Sequence, residues 1–422
     1  MTAKLKTYTL GCKVNQYETE FVRQGLLRAG YQDVTEGETA DVCIVNTCTV
    51  TAEGDSKSRQ VIRRMHKDNP EARIVVMGCY ATRAPEEVRM LPGVVEVVTD
   101  KRELPDLLGR HGVVDLPVGI SGLTGHRRAF VKVQDGCLLN CSYCIIPHVR
   151  PQMYSRQLED VLREIEGLEQ NGYQEVVLTG IHLGHYGVDF NRGLPRQDWT
   201  RLATLVRQIC RRTTHLRVRL SSIEATEVTR ELIDVMAEHA ERVCPHLHVC
   251  LQSGSDRILR LMRRRWCSKR IIDRCQLVAQ RLSLPAFTTD VIVGFPGETA
   301  ADFAATERVC RQIGFAKLHV FPFSPRRGTA AAEMSEQVDG NLKAARVDQL
   351  LELDRELRQD YLERLVGSEI TVMAEQQVEG RWVGTSCRSV TAAVTTNQPV
   401  TRGQLIKARV LEREADLLGC RS

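Results

Sequence analysis

Three cysteines stand close together in the middle part of the sequence, at Cys137, Cys141 and Cys144. Three and then two residues separate them, so their thiolates can turn toward one centre, where they favour a soft metal, either zinc or an iron-sulfur cluster. A structural zinc site normally has four ligands, and no fourth ligand follows at a short distance except His148, which lies beyond Pro147. Three cysteines on a cubic cluster leave one iron open to a small molecule, so the spacing favours a reactive cluster.

Three further cysteines, Cys12, Cys48 and Cys79, lie far apart in the sequence but have similar surroundings. Each follows an apolar run of the kind that forms a buried strand. The runs are Leu5–Leu10, Val42–Val45 and Ile74–Met77. In a parallel sheet all three thiols would emerge at the carboxyl edge, where open α/β folds place their ligands. The alternative is that each thiol is a small buried apolar group, and periodicity alone does not choose between the two.

The first 110 residues alternate between strand and helix patterns, which predicts an N-terminal parallel α/β domain over residues 1–110. Helical periodicity covers Glu18–Ala29 and Ser56–Lys67. Residues 111–126 are rich in glycine, contain Pro117 and show no clear period, so we assign them as a linker.

The central part of the chain repeats strand and helix patterns six times, which predicts a partial (βα)6 barrel over residues 127–360. The six candidate strands are Phe130–Val133, Glu175–Thr179, Leu216–Leu220, Leu247–Leu251, Thr288–Val293 and Lys317–Phe321. A polar helix, Asn341–Leu365, leads out of this barrel. Residues 367–422 carry short strand patterns separated by turn residues, which predicts a small C-terminal β-barrel.

Composition limits the function classes. The chain of 422 residues has 58 Lys and Arg against 53 Asp and Glu, and this net charge of +5 permits an acidic partner without requiring one. Its 15 cysteines are spread over a long chain, unlike those of a small disulfide scaffold. No leader pattern and no apolar run near about 18 residues occurs, so we expect a cytoplasmic protein with no membrane contact.

The motif at Cys137–Cys144, at the end of the first barrel strand, resembles the radical S-adenosylmethionine superfamily. The flanks of the three distant cysteines match the N-terminal motifs of the methylthiotransferases within it. These flanks are Thr9–Glu18, Val45–Val50 and Val76–Tyr80. The C-terminal region looks like the TRAM module of the same family, so the resemblance spans nearly the whole chain.

The resemblance implies an enzyme with two 4Fe-4S clusters. Cys137, Cys141 and Cys144 would be the catalytic set, holding the cluster at which S-adenosylmethionine is reductively cleaved to a 5′-deoxyadenosyl radical. Cys12, Cys48 and Cys79 would hold an auxiliary cluster that carries the transferred sulfur. S-adenosylmethionine would act both as radical source and as methyl donor. An external one-electron reductant and a sulfur source are also required.

Cofactor contacts are expected at the carboxyl ends of the barrel strands, where the βα loops converge. The expected contacts are Tyr143, Thr179, Gly180, Ser221, Glu224, Gln252, Gly294 and Glu298. Ordinary turn chemistry is the alternative for the strand-end residues among them, because Gly, Ser and Asp favour turns.

Three motifs resemble the branch of the family that modifies threonylcarbamoyladenosine next to the tRNA anticodon: Gly11–Asn15, Lys57–Arg64 and Leu220–Ala225. This branch converts that nucleoside to its 2-methylthio derivative, and tRNA is the implied partner of a monomeric enzyme. Two alternatives keep the chemistry and change the substrate, to isopentenyladenosine in tRNA or to a ribosomal-protein side chain. A third is a non-catalytic iron-sulfur protein that binds RNA or senses redox state.

Substrate contacts are sought among basic residues near the cluster motif. Arg150 and Arg156 follow it and could contact the threonylcarbamoyl carboxylate or phosphates. A basic run around Trp266 could contact phosphate and stack a base, or could be a solvated helix face. This run comprises Arg260, Arg263, Arg264, Arg265, Lys269 and Arg270. The sequence departs from the family at Pro151, where Gly is usual, at Cys250, where Pro is usual, and in its short β module.

Overall fold

The computed structural model describes residues 2–422. The N-terminal domain is built on one parallel sheet of five strands in the order β2-β1-β3-β4-β5. The strands are β1 (Lys4–Thr9), β2 (Gln32–Asp33), β3 (Val42–Thr47), β4 (Arg73–Gly78) and β5 (Val94–Val97). The helices are α1 (Lys13–Arg28), α2 (Ala52–Asp68), α3 (Cys79–Arg83), α4 (Pro85–Arg89) and α5 (Leu104–Arg110). Apolar layers cover both sheet faces, as expected for parallel strands.

The predicted strands of this domain are present, and four elements were not predicted: β2, α3, α4 and α5. The two-residue edge strand β2 is polar and carries no apolar signal. Helix α5 begins at Leu104 with a proline in its first turn, and it ends at Arg110, directly before the glycine-rich linker. Pro at the first helical positions is compatible with a helix start, so its presence did not exclude this helix.

The central domain is an open barrel made of two sheets, in the orders β7-β6-β8-β9 and β10-β11-β12-β13. Only Ser221 separates β9 from β10, so the chain passes directly from one sheet to the other. The strands are β6 (Ala129–Asp135), β7 (Tyr154–Ser155), β8 (Glu175–Gly180), β9 (Arg217–Leu220), β10 (Ser222–Ile223), β11 (His246–Val249), β12 (Ala286–Val293) and β13 (Lys317–Pro322). The expected partial barrel is confirmed.

Helices surround this barrel, and most of them pack their apolar faces on the outward-facing residues of the strands in one large core. The helices are α6 (Ile146–Val149), α7 (Leu158–Gln170), α8 (Leu202–Arg212), α9 (Arg230–Glu238), α10 (Asp256–Leu261), α11 (Ser268–Arg281), α12 (Ala300–Ile313) and α13 (Gly340–Leu365). Polar residues of β11 and β12 alternate with these core residues and face the barrel lumen.

The C-terminal domain is one curled sheet of six strands in the order β14-β18-β19-β17-β16-β15. The strands are β14 (Glu369–Met373), β15 (Gln376–Val378), β16 (Arg381–Thr385), β17 (Thr391–Thr395), β18 (Leu405–Glu414) and β19 (Leu417–Arg421). All pairs are antiparallel except β17 with β19. The expected small β domain is confirmed, with β15 and β19 as additional strands. The predicted domain boundaries stay predictions.

This sheet covers the end of the barrel opposite the cysteine loop. Arg219, at the amino-terminal side of the lumen, donates to the carbonyl of Ser386 at 2.9 Å and to Ser389 Oγ at 2.7 Å. Arg217 donates to the carbonyl of Thr371 at 3.0 Å, and Glu175 pairs with both arginines. A buried charged layer therefore closes the barrel floor. Among residues 2–422, no helix combines the length and the apolar character that crossing a membrane requires.

Candidate functional site: two three-cysteine sets and the barrel lumen

The cysteine loop of the barrel begins directly after β6, at the carboxyl ends of the strands. Gly136 has a φ of +76°, and a Cβ there would lie 1.9 Å from the carbonyl oxygen of Gln152, so only glycine fits. The Cys137 amide donates to the carbonyl of Arg150 at 3.3 Å, and the Ser142 amide donates to the carbonyl of Met262 at 3.1 Å. The loop is thus fixed at both ends over the barrel mouth.

The three thiols of this loop share one environment. Burial raises the pKa of Cys144 to about 12, and the nearby thiols of Cys141 and Cys137 add to this rise. The guanidinium of Arg264 donates to Cys141 Sγ at 3.3 Å, which places a positive charge beside the set. Three thiols with one cation and no fourth protein thiol in the loop fit a cluster that keeps an open iron.

The distant cysteines also meet at one edge, as the parallel sheet requires. Cys12 follows β1 and precedes α1, Cys48 follows β3, and Cys79 is the first residue of α3 after β4. A Cβ built on Gly11 would lie 3.3 Å from Cys48 Sγ, so the loop before Cys12 rests against Cys48. At Gly78, with φ +99°, a Cβ would lie 2.3 Å from the carbonyl oxygen of Thr47, which explains the glycine before Cys79.

Side chains connect these thiols. Asn15 Oδ1 lies 3.9 Å from Cys12 Sγ and accepts from Arg150 Nη2 at 3.0 Å, and Arg150 Nε lies 3.4 Å from Cys79 Sγ. Burial raises the pKa of Cys48, and the thiols of Cys79 and Cys12 raise it further. The sequence separation conceals a spatial cluster, and its three soft donors beside a guanidinium fit a second iron-sulfur cluster.

A buried ionic network joins the two domains that carry the cysteine sets. Arg150 Nη1 lies 2.8 Å from both Glu18 Oε1 and Asp135 Oδ1, and Lys132 Nζ lies 2.9 Å from Glu18 and 2.7 Å from Asp135. Glu18 belongs to the N-terminal domain, and the other three residues belong to the barrel. The expected contact of Arg150 with a substrate carboxylate or phosphate does not fit this burial, because two carboxylates and Asn15 already occupy its guanidinium.

The guanidinium of Arg156 also has all its partners within the protein. It pairs with Glu164, donates to Tyr17 Oη at 2.8 Å, and donates to the carbonyls of Lys132 and Val118 at 2.9 and 2.8 Å. These partners hold the linker and α1 against the barrel. The expected substrate contact of Arg156 is therefore also replaced by a contact between domains.

Four expected cofactor contacts lie around the mouth of the lumen. Tyr143 packs against an apolar cluster that includes Phe295. Thr179 is buried, and Gly180 pairs with β6. Ser221 Oγ is buried and has no hydrogen-bond partner among the described residues. Because a buried hydroxyl rarely lacks a partner, this orphan fits a bound ligand at the mouth.

The carboxylate of Glu224, near the end of its strand, already has partners within the protein. It pairs with Arg264 and accepts from Trp266 Nε1 at 3.1 Å. Trp266 is only 8% exposed, so the expected stacking of a base on its ring does not fit the structure. Gln252 adopts a φ of +64°, three residues after the end of β11.

Gly294 and Glu298 act on each other. The Gly294 amide donates to Glu298 Oε2 at 2.8 Å, and Arg346 Nη1 lies 2.6 Å from the same oxygen. Burial raises the pKa of Glu298. Its carboxylate shapes the loop after β12, which leaves little of it for a direct cofactor contact.

Sequence reasoning missed a group of three residues beside the catalytic set. His182 and His185 stack with ring centroids 3.6 Å apart, and their Nε2 atoms lie 3.6 and 3.7 Å from the carboxylate oxygens of Glu227. His182 Nδ1 lies 3.7 Å from Cys137 Sγ. The signal was two histidines three positions apart directly after the strand Glu175–Gly180.

Comparison with known proteins agrees with this architecture. Residues 4–100 match a family described as uncharacterized protein family UPF0004, and residues 131–310 match the radical SAM superfamily. Among solved structures, the radical S-adenosylmethionine methyltransferase TsrM from Kitasatospora setae superposes with a TM-score of 0.56 at 14% identity, covering 79% of this chain and 77% of that chain. This likeness concerns the fold alone.

Curated relatives are closer in sequence. The threonylcarbamoyladenosine tRNA methylthiotransferase MtaB of Bacillus subtilis (strain 168) is 37% identical over 97% of this chain and 94% of its own length. The MtaB of Thermotoga maritima is 36% identical over 89% of this chain and 87% of its own length. A tRNA-2-methylthio-N(6)-dimethylallyladenosine synthase of Aquifex aeolicus is 29% identical over 98% of this chain and 97% of its own length. The chain therefore belongs to the family of threonylcarbamoyladenosine tRNA methylthiotransferases.

Proposed function

We propose that this enzyme converts threonylcarbamoyladenosine next to the tRNA anticodon to its 2-methylthio derivative. The observation that carries the proposal is the pair of three-cysteine sets, on two domains that one buried network around Arg150 joins. Replacing an aromatic C–H bond of adenine lies outside acid-base catalysis, because that hydrogen is not acidic. S-adenosylmethionine supplies a radical for this step when bound at a reduced 4Fe-4S cluster, and as methyl donor it supplies the methyl group.

The protein's part in this chemistry is to hold and orient. Cys137, Cys141 and Cys144 bind one cluster over the lumen, and Cys12, Cys48 and Cys79 bind the other at the sheet edge. The unpartnered Ser221 hydroxyl and the loop shaped by Glu298 position the cofactor at the mouth. Arg264 keeps a positive charge beside Cys141 and thereby favours its thiolate form.

The proposed tRNA surface lies beside this mouth. Arg260, Arg263, Arg265 and Arg270 are exposed and form no ion pair with any of residues 2–422. Three of them line a shallow pocket of about 620 Å³ next to Trp266. Phosphate binding is the natural use for unpaired guanidinium groups around an active site, because phosphates accept bidentate hydrogen bonds from Arg.

Charge removal tests this surface. We expect the double variant R260Q/R265Q to bind tRNA roughly tenfold more weakly at moderate salt, and to lower the slope of log affinity against log salt by about one to two. Filter binding at several salt concentrations measures both. The matched control R28Q/R308Q removes two exposed arginines that also form no ion pair. Equal slopes for both double variants would assign tRNA binding to another surface.

The substrate assignment has a direct test. We expect the reconstituted protein, supplied anaerobically with reductant, a sulfur source and S-adenosylmethionine, to form the 2-methylthio nucleoside on tRNA that carries threonylcarbamoyladenosine, with nucleoside mass spectrometry as the readout. Faster product formation on isopentenyladenosine tRNA would favour the first alternative. Absence of 5′-deoxyadenosine from every reaction would favour a non-catalytic iron-sulfur protein.

The proposal also covers the co-reactants, the oligomeric state, the location and the domain limits. A one-electron reductant and a source of sulfur are required by the chemistry, and we propose a monomer because one chain supplies both cysteine sets. We also propose a cytoplasmic location, where tRNA is modified. The domain limits 1–110, 127–360 and 367–422 are proposed as units for truncation experiments.

A further inference from the structure

Three donor side chains of different types converge in the barrel lumen. His248 lies on β11, Cys250 lies two positions further on the same face, and Asp290 lies on the neighbouring strand β12. One donor atom from each, an imidazole nitrogen, the sulfur and a carboxylate oxygen, lies within 4.8 Å of the other two. None of the three belongs to either cysteine set. Cys250 is also the position where the family resemblance leads one to expect Pro.

These donors are free to bind a ligand. His248 Nε2 is buried without a hydrogen-bond partner and lies 3.4 Å from Asp290 Oδ2. Cys250 Sγ and the Asp290 carboxylate form no hydrogen bond with residues in the part of the chain that the structure describes. A buried imidazole nitrogen without a hydrogen-bond partner is costly unless something binds it, and the thiol and the one-third exposed carboxylate face the same point.

Thr288 orients the histidine. Its hydroxyl lies 3.1 Å from His248 Nδ1 and 3.0 Å from His246 Nε2. The single hydroxyl proton can be donated to only one of the two rings. When it goes to His246, the hydroxyl accepts from Nδ1–H of His248, and the lone pair of His248 Nε2 points at Cys250 and Asp290. A second group that fixes the tautomer in this way is a regular feature of metal-binding histidines.

We propose that His248, Cys250 and Asp290 form a divalent metal site in the lumen, separate from both clusters, whose donor set fits Zn²⁺. Nitrogen, sulfur and carboxylate oxygen are the three ligand types that zinc takes in proteins. Three protein ligands leave the fourth tetrahedral position open toward the lumen. The site does not depend on the proposed substrate, because its ligands are defined by geometry alone.

An ion pair between His248 and Asp290, with Cys250 as an apolar neighbour, is the simpler alternative. In an ion pair the protonated Nε2 donates to the carboxylate and the thiol has no role. In the metal site the thiol is a required ligand, so removal of its sulfur separates the two arrangements.

Zinc content of the cluster-loaded protein tests the site. After incubation with Zn²⁺ and removal of excess, we expect about one zinc per chain in the wild type. C250A and H248Q should lower zinc at least about tenfold with unchanged iron, since each removes one of three ligands. The control C267A removes an exposed cysteine and should keep the zinc. Zinc retained by C250A, or absent from the wild type, would overturn the site.

A second measurement needs no variant, which matters if a lumen substitution impairs folding. Zinc X-ray absorption of the wild type should show one sulfur at about 2.3 Å with the remaining ligands nitrogen or oxygen near 2.0 to 2.2 Å. Three sulfur ligands would place the zinc in a vacant cysteine set and contradict the proposal. No sulfur ligand would also contradict it, because Cys250 would then be unbound.

Discussion

Replacement of Cys12, Cys48 and Cys79 by Ala is expected to halve the iron of the anaerobically reconstituted protein, from about eight to about four atoms per chain. The three thiols meet at one sheet edge, and each set of three is proposed to hold one cluster. The variant should still cleave S-adenosylmethionine to 5′-deoxyadenosine, because Cys137, Cys141 and Cys144 are unchanged. Formation of the methylthio nucleoside should fall below detection, because the proposed holder of the sulfur is gone.

A matched triple variant controls for the loss of thiols. Cys43, Cys210 and Cys310 are buried in apolar cores and lie away from both sets. Their replacement by Ala should leave iron at about eight per chain and preserve product formation. Equal iron content in both triple variants and the wild type, at about four, would instead make the distant cysteines ordinary core residues.

The second large effect concerns the network that joins the two domains. Arg150→Met should destabilise the protein by roughly 3–5 kcal/mol, because it leaves the buried carboxylates of Glu18 and Asp135 with Lys132 as their only close cation. Thermal unfolding measured by circular dichroism would show the loss. Arg102→Met removes an exposed arginine paired with Asp100 and should leave the melting temperature unchanged. Equal melting temperatures for both variants would contradict a structural role for Arg150.

The same network predicts that the stability of the folded protein depends on pH. Burial alone would raise the pKa of Glu18 and Asp135, but Arg150 and Lys132 outweigh it and lower both pKa values. A carboxyl group with a lowered folded pKa stabilises the protein above its unfolded pKa, near 4, and loses that contribution as pH falls toward the folded value. Stability should therefore fall below about pH 4, and less steeply for Arg150→Met than for the wild type.

The sequence was most informative where the candidate functional residues directly follow a strand. Apolar runs predict β1, β3 and β4, and the parallel sheet then brings the cysteines after them to one edge. The six barrel strands followed from the same periodicity. The two-residue strand β2 and the polar strand β15 were missed, because neither has an apolar face.

Contacts between side chains that are far apart in the sequence could not be predicted from the sequence. Arg150 and Glu18 are 132 positions apart, so nothing near Arg150 in the sequence shows that its charge is already neutralised. Arg264 looked like its exposed neighbours in the basic run, but a positive φ at Arg263 turns the chain and directs Arg264 toward Cys141. The lumen donors His248, Cys250 and Asp290 come from two strands and become a group only when those strands pair.

The closed floor of the barrel has a consequence for turnover. Arg217 and Arg219, paired with Glu175, contact the C-terminal sheet there, so the lumen is closed at its amino-terminal end. Each product molecule uses two molecules of S-adenosylmethionine, and both must enter, and their products leave, beside the arginines proposed to hold tRNA. Cofactor exchange and tRNA binding therefore take place at the same end of the barrel. An excess of tRNA should slow turnover, because bound tRNA would block the entry of S-adenosylmethionine.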